Sequence, residues 1–147
     1  MTHPTLELEL LARLQVQIAE PYDGGVTATG EASSIIPIIG GTVEGPLLEG
    51  EILPLGADWG VARTDGTFKV AARYLIRTID GTVLTVTNTG VIAAGQDPIG
   101  LTSPRIEAPE GRYAWLNDAV LIGTLSPVFA NDAPVGVSLE FHCVRTV

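Results

Sequence analysis

Runs rich in Val, Ile, Thr and Leu recur between Gly40 and Asn88, each closed by a Gly pair or an Asp-Gly, with no helix-length periodic stretch between them. Asp-Gly flanked by alternating apolar residues is a strong hairpin signal, because a two-residue turn needs residues that tolerate positive φ. The pair stands at Asp65-Gly66 and again at Asp80-Gly81. It predicts a meander of three strands, Trp59 to Arg63, Thr67 to Thr78 and Thr82 to Val91. The chain is therefore expected to be an antiparallel all-β protein.

At 147 residues the chain is long enough for one closed core and too short for two ordinary domains, so residues 1–147 read as a single domain. A hydrophobic fraction of 46% and a mean hydropathy of +0.33 exclude a disordered chain. Seventeen Gly and 10 Pro point to many turns rather than long helices.

Eight Lys and Arg against 17 Asp and Glu leave a net charge of −9, which repels the phosphate backbone of nucleic acids and disfavours anionic lipid. No apolar run approaches the ~20 residues needed to span a bilayer. Met1-Thr2-His3-Pro4 carries no basic region ahead of an apolar one, and Glu7 and Glu9 interrupt the early hydrophobic segment, so no secretion signal is read. A single cysteine, Cys143, can form no internal disulfide and agrees with a reducing cytoplasm, the expected location.

Leu6, Leu8, Leu10, Ala12, Leu14, Val16 and Ile18 are apolar at every second position, and only Leu11 breaks the alternation. This predicts one long strand with an apolar face. A loop is expected over Pro21 to Gly30, then a strand from Ser33 to Ile39 ending at the Gly40-Gly41 break. Thr42 to Leu55 reads as two short strands around Gly45-Pro46. Ala93 to Pro109 carries Gly95, Pro98, Gly100, Pro104 and Pro109, which predicts a loop over a barrel mouth or a partner subunit rather than a central strand. Strands resume at Arg112 to Leu125 and Val135 to Val144, separated by a turn at Asn131-Asp132. Eight to ten strands in one domain remove their exposed edges by closing, so a barrel is favoured over a sandwich.

Candidate chemistry is sparse. His3, His142 and Cys143 do not form a metal set, since His142 and Cys143 are strand neighbours that point to opposite faces. Glycine-rich phosphate loops leading into helices and a serine nucleophile elbow are absent, so no cofactor is expected. Asp65 and Asp80 are explained by turn chemistry. Asp58 has no glycine partner and precedes Trp59, and an aromatic wall there would raise its pKa toward that of a general base; the alternative is a loop carboxylate bonded to backbone amides. Arg73 alternates with Lys69, Ala71, Leu75 and Arg77 against Phe68, Val70, Ala72, Tyr74 and Ile76. It is an interior anion or carbonyl clamp if its face looks inward and a solvated cation if not. Strand alternation over Arg112 to Asn117 would put Tyr113, Trp115 and Asn117 on one face, as a pocket wall or as core.

Gly40-Gly41-Thr42-Val43-Glu44-Gly45-Pro46, Gly50, Gly56-Ala57-Asp58-Trp59, Arg63-Thr64-Asp65-Gly66, Ala72-Arg73-Tyr74, Asp80-Gly81 and Arg112-Tyr113-Ala114-Trp115-Leu116-Asn117 occur in one order. That order resembles the bacterial and fungal domain of unknown function 3237 family. The resemblance covers almost the whole chain. It implies a calycin-like β-barrel, commonly a homo-oligomer, and favours site roles for Asp58, Trp59, Arg73, Tyr113, Trp115 and Asn117, with Glu44 inside the matching motif.

The expected function is a cofactor-independent lyase or isomerase moving protons on a small, partly apolar carbonyl compound, as in hydration, dehydration or cyclisation. Asp58 is the expected base, Arg73 or Tyr113 steadies charge on oxygen, and Glu44, Trp59, Trp115 and Asn117 contact the substrate. The rivals are a carrier for a hydrophobic metabolite and a scaffold with a filled barrel.

Overall fold

The computed structural model describes residues 3–95 and 99–147; Met1, Thr2 and Pro98, which entered the reading of the terminus and of the proline-rich segment, lie outside the described residues. Among the described residues the elements are β1 (Leu6–Ile18), β2 (Tyr22–Val26), β3 (Ala32–Glu44), β4 (Gly50–Ala62), β5 (Phe68–Thr78), β6 (Val83–Ile92), β7 (Gly100–Glu107), a 3-10 helix (Ala114–Asp118), β8 (Leu121–Ala130) and β9 (Ala133–Thr146). Neighbours run β1-β9-β8-β7-β6-β5-β4-β3, and β1 also pairs with β3, so eight antiparallel strands close on themselves. Closure gives each barrel strand two neighbours and so removes most of the edge that could template aggregation. β2 lies outside this ring, pairing with Ala32 to Ile35 of β3 past the point where β1 has ended.

β1 spans the predicted strand. Leu11, the residue that breaks its alternation, is a bulge: Leu10 faces His142 and Ala12 faces Phe141, so one β1 residue has no β9 partner. The bulge carries both Leu11 and Ala12 into the core, whereas Leu6 and Leu8 stay exposed. The two Asp-Gly turns also stand where expected. The Thr67 N–H donates to Asp65 Oδ1 at 2.9 Å, and the Thr78 hydroxyl donates to Asp80 Oδ1. These bonds favour the ionised carboxylates and lower both pKa values, the Thr67 backbone bond being the main cause at Asp65 and the Thr78 hydroxyl at Asp80.

Five expectations need correction. Tyr22 to Val26 is a strand rather than loop, and Gly40-Gly41 does not end β3, which runs through both glycines to Glu44. Thr42 to Leu55 is the end of β3 and the start of β4, parted by a turn at Gly45-Pro46. The proline-rich segment holds β7, a central strand between β6 and β8. β7 tolerates Pro104 because its ladder to β8 runs only from Gly100↔Leu125 to Thr102↔Gly123; beyond it an N–H would have no β8 partner. Finally, Arg112 to Leu125 is not one strand. A 3-10 helix with buried Leu116 fills the space where β7 and β8 diverge.

Closure at the β1–β3 seam depends on glycine. Gly41 faces Val16 with φ +147°, and a Cβ there would lie 2.0 Å from the Gln15 carbonyl oxygen. Gly41→Ala must push β1 from β3 or strain the backbone. It is expected to cost about 2–4 kcal/mol and lower Tm by several degrees, read by thermal unfolding followed by circular dichroism.

Candidate active site

One end of the barrel is packed shut by Leu11, Val43, Leu48, Ile76, Leu84 and Leu116, all buried. Toward the other end, where β1 finishes and β5 begins, the interior holds a cavity with ≈ 50 Å³ available to the centres of water molecules, or ≈ 420 Å³ of empty space with its mouth included. Its walls are aliphatic, among them Val16, Ile38, Val70 and Leu139, apart from Asp58, Tyr74 and Asn88. Among the described residues no lysine or arginine lines it.

The register explains how these three polar groups meet. Asp58 on β4 lies opposite Ile36 of β3 and Ala72 of β5, and Ala72 lies opposite Asn88 of β6. Opposed residues of antiparallel strands share a face, so Asp58 and Asn88 project inward from one row. Tyr74 follows two positions after Ala72 and therefore points the same way.

Asp58 Oδ1 accepts the Ala71 N–H at 2.8 Å, and no other hydrogen bond to the carboxylate is found among the described residues. Burial among aliphatic side chains pushes its pKa above the ordinary 3.8, outweighing the Ala71 bond, which acts downward. Both sequence readings of Asp58 thus hold part of the truth: it bonds a backbone amide and its proton affinity is raised. The cause is the aliphatic cavity rather than an aromatic wall, since Trp59 points to the opposite face and is 52% exposed. Among the described residues Tyr74 Oη and Asn88 Oδ1 are buried with no hydrogen-bond partner, and the two residues are 3% and 1% exposed. Each such group carries a desolvation cost of about 1–3 kcal/mol. Thr102 Oγ1 is also unpartnered, but it packs against Gly123 and does not line the cavity.

The other expected site residues do not converge on Asp58. Arg73 is on the outer face of β5, beside Trp59 and Leu55, because Val70, Ala72, Tyr74 and Ile76 take the interior positions. Glu44 is exposed at the end of β3, in a surface depression with Glu49 and Arg77. Tyr113, 4% exposed, belongs to the core just before the 3-10 helix. Trp115 and Asn117 lie on that helix, so the three do not share a strand face, and both are exposed. Asn117 is a clamp: its side chain accepts from Ala108 N–H at 3.0 Å and donates to Ala108 O and Ala114 O at 2.9 Å.

Tyr74 and Asn88 were missed by the sequence reading. The available signal was Asn88 at an interior position of the alternating run Leu84, Val86, Asn88, where an amide replaces the expected aliphatic side chain. Cys143 is buried, with its thiol pushed up by burial, and His142 on the opposite face lies 3.7 Å from Glu140. Among the described residues no three His, Cys, Asp or Glu side chains cluster as metal ligands, and no helix is long and apolar enough to cross a membrane.

Residues 6–142 match the model of a family described as a protein of unknown function, DUF3237. A UPF0311 protein of Rhodopseudomonas palustris is 32% identical over 136 residues, covering 82% of this chain and 88% of that protein. A crystal structure of a protein of unknown function from Clostridium acetobutylicum superposes with a TM-score of 0.87 at 25% identity, covering 96% of this chain and all of the other. The hydroalkoxylation enzyme phnH of Penicillium herquei is 28% identical over 123 residues, covering 84% of this chain and 75% of the enzyme.

Linkage gives Asp58 a definite sign. A carboxyl whose folded pKa lies above its unfolded value binds more protons folded than unfolded between the two values, so stability falls as pH rises through the folded pKa and stays lowered above it. Asp58→Asn keeps an acceptor for Ala71 without the charge. It is expected to raise Tm at pH 7, with the gain shrinking as the pH falls toward 3.8, read by thermal unfolding across pH.

Proposed function

Since the chain belongs to the DUF3237 family, we propose that it is, like the fungal relative, an enzyme, and specifically a cofactor-independent lyase or isomerase acting by proton transfer on a small, partly apolar carbonyl compound. The observation that carries this reading is a carboxyl of raised pKa, the one carboxyl among the described lining residues, in a largely aliphatic barrel cavity. A carboxyl of raised pKa is a stronger base than an ordinary one once ionised, and aliphatic walls disfavour the water that would compete.

Hydroalkoxylation, the reaction named for the fungal relative, adds an alcohol O–H across a carbon–carbon double bond. In this chain the same class of step runs in balance through Asp58. Its carboxylate takes the hydroxyl proton as oxygen bonds to the far carbon of a carbonyl-conjugated alkene. The alkene electrons pass to the carbonyl oxygen as an enolate, and the carboxylic acid returns the proton to carbon. Run backward, the cycle is an elimination. Hydration, dehydration and cyclisation differ only in which oxygen attacks or leaves.

Arg73 and Tyr113 take no part in this reading, because neither lines the Asp58 cavity. Trp59, Trp115, Asn117 and Glu44 are likewise outside it.

Mass spectrometry of hydroxylated, carbonyl-conjugated alkenes before and after incubation with the protein is the direct test. Conversion by the wild type, lowered about 10² to 10⁴-fold in Asp58→Asn, is expected. The ionised base forms only above the raised pKa, so the rising limb of the pH–rate profile should sit above 3.8. Saturable binding without conversion would make the protein a carrier instead, and undiminished turnover in Asp58→Asn would remove Asp58 as the base.

A further inference from the structure

The reading above uses one of the three polar groups in the cavity and leaves Tyr74 and Asn88 unexplained. Both side chains are more than nine-tenths buried, both line the cavity, and neither Tyr74 Oη nor Asn88 Oδ1 has a hydrogen-bond partner among the described residues. Buried polar atoms are ordinarily satisfied, so an unpartnered pair facing one hollow calls for partners brought from outside.

The two atoms ask for different partners. Asn88 Oδ1 is an acceptor and needs a donor, O–H or N–H, from whatever enters. Tyr74 Oη can donate, and burial raises its pKa so that it keeps its proton. Asp58 stands on the same side, two strands from Asn88 along one inward row, about 10 Å away by strand spacing. The facing wall, with Val16, Ile18, Leu125, Val137 and Leu139, offers hydrocarbon alone. A guest therefore meets one polar side and one apolar side. Charge narrows the guest further. With Asp58 as the ionisable acid in the lining and no cation beside it, a carboxylate or phosphate would be buried unpaired against like charge.

We infer that the cavity selects an uncharged, largely apolar compound carrying both a hydroxyl and a carbonyl on one edge, with Asn88 accepting from the hydroxyl and Tyr74 donating to the carbonyl oxygen. This rests on the cavity being the substrate site. Tyr74 becomes a binding residue that polarises the carbonyl, and Asn88 the residue that distinguishes a hydroxylated ketone from a plain one. A site built to bond a hydroxyl discriminates strongly against the analogue lacking it, because the buried amide oxygen is then left alone.

Calorimetric titration of the full chain with meta- and para-hydroxyacetophenone, acetophenone and benzoate tests the inference without need of turnover. The better hydroxyketone should bind at least about fivefold more tightly than acetophenone, the scale of one net hydrogen bond, and benzoate should not bind. Asn88→Leu should erase the preference between the two ketones, and Tyr74→Phe should weaken both. Neither substitution should lower Tm, since each removes an unpartnered buried polar group, and that distinguishes a ligand role from a structural one. Equal affinity for hydroxyketone and ketone, or binding of benzoate as tight as either, overturns the ligand class and leaves the proton-transfer reading standing. Binding of none of the four overturns the cavity as the substrate site and that reading with it. Should Asn88→Leu fail to fold, the wild-type ligand comparison and Tyr74→Phe decide the matter.

Discussion

The interior of this protein exists because β1 is hydrogen-bonded along both edges, to β9 on one side and to β3 on the other. Were either ladder absent, the eight strands would form an open sheet, and the aliphatic faces now turned inward would need another cover. Backbone proximity at that seam leaves no space for a side chain at Gly41. The Leu11 bulge, lower on the same strand, supplies an extra inward side chain where the barrel is packed shut. One strand thus both closes the ring and helps fill one of its ends, and the space left at the other end is the cavity.

The sequence shows clearly those features written in local chemistry. Alternation marked β1 to its ends, the single residue out of phase marked its bulge, and Asp-Gly marked both turns of the β4–β5–β6 meander. What it hid depends on neighbours. Pro104 argues against a central strand only if both ladders continue past it, and the β8 ladder stops first. Tyr113, Trp115 and Asn117 alternate as a strand would, yet backbone bonds such as Leu116 N–H to Tyr113 O, together with the Asn117 clamp, fold them into a helical turn. For Arg73 the pattern offered two faces, and the burial of Val70, Ala72, Tyr74 and Ile76 decided between them.

The sequence reading set Asp58 beside the wrong neighbours. Its neighbour in sequence, Trp59, suggested a shared aromatic pocket, but adjacent strand residues point apart, and the groups that share its hollow come from β5 and β6. Tyr74 and Asn88 went unnoticed because a tyrosine on an apolar face reads as core and one amide in a threonine-rich strand reads as surface. The cavity is consequently a place of stored cost, with a desolvated carboxyl and two orphaned polar atoms in one small volume. Sites that favour ligand over fold tend to have this character.

The abbreviated β7–β8 ladder sets the mechanical character of the whole wall. Local opening follows the least-bonded boundary, and from Ser103 onward β7 is joined to its barrel neighbours through β6 alone. Amide exchange along Ser103 to Glu107 outpacing that of β5 would report such opening. A closed ring of strands thus carries a hinge line, and that line lies at the packed end beside Ile106 and Leu116 rather than beside the cavity.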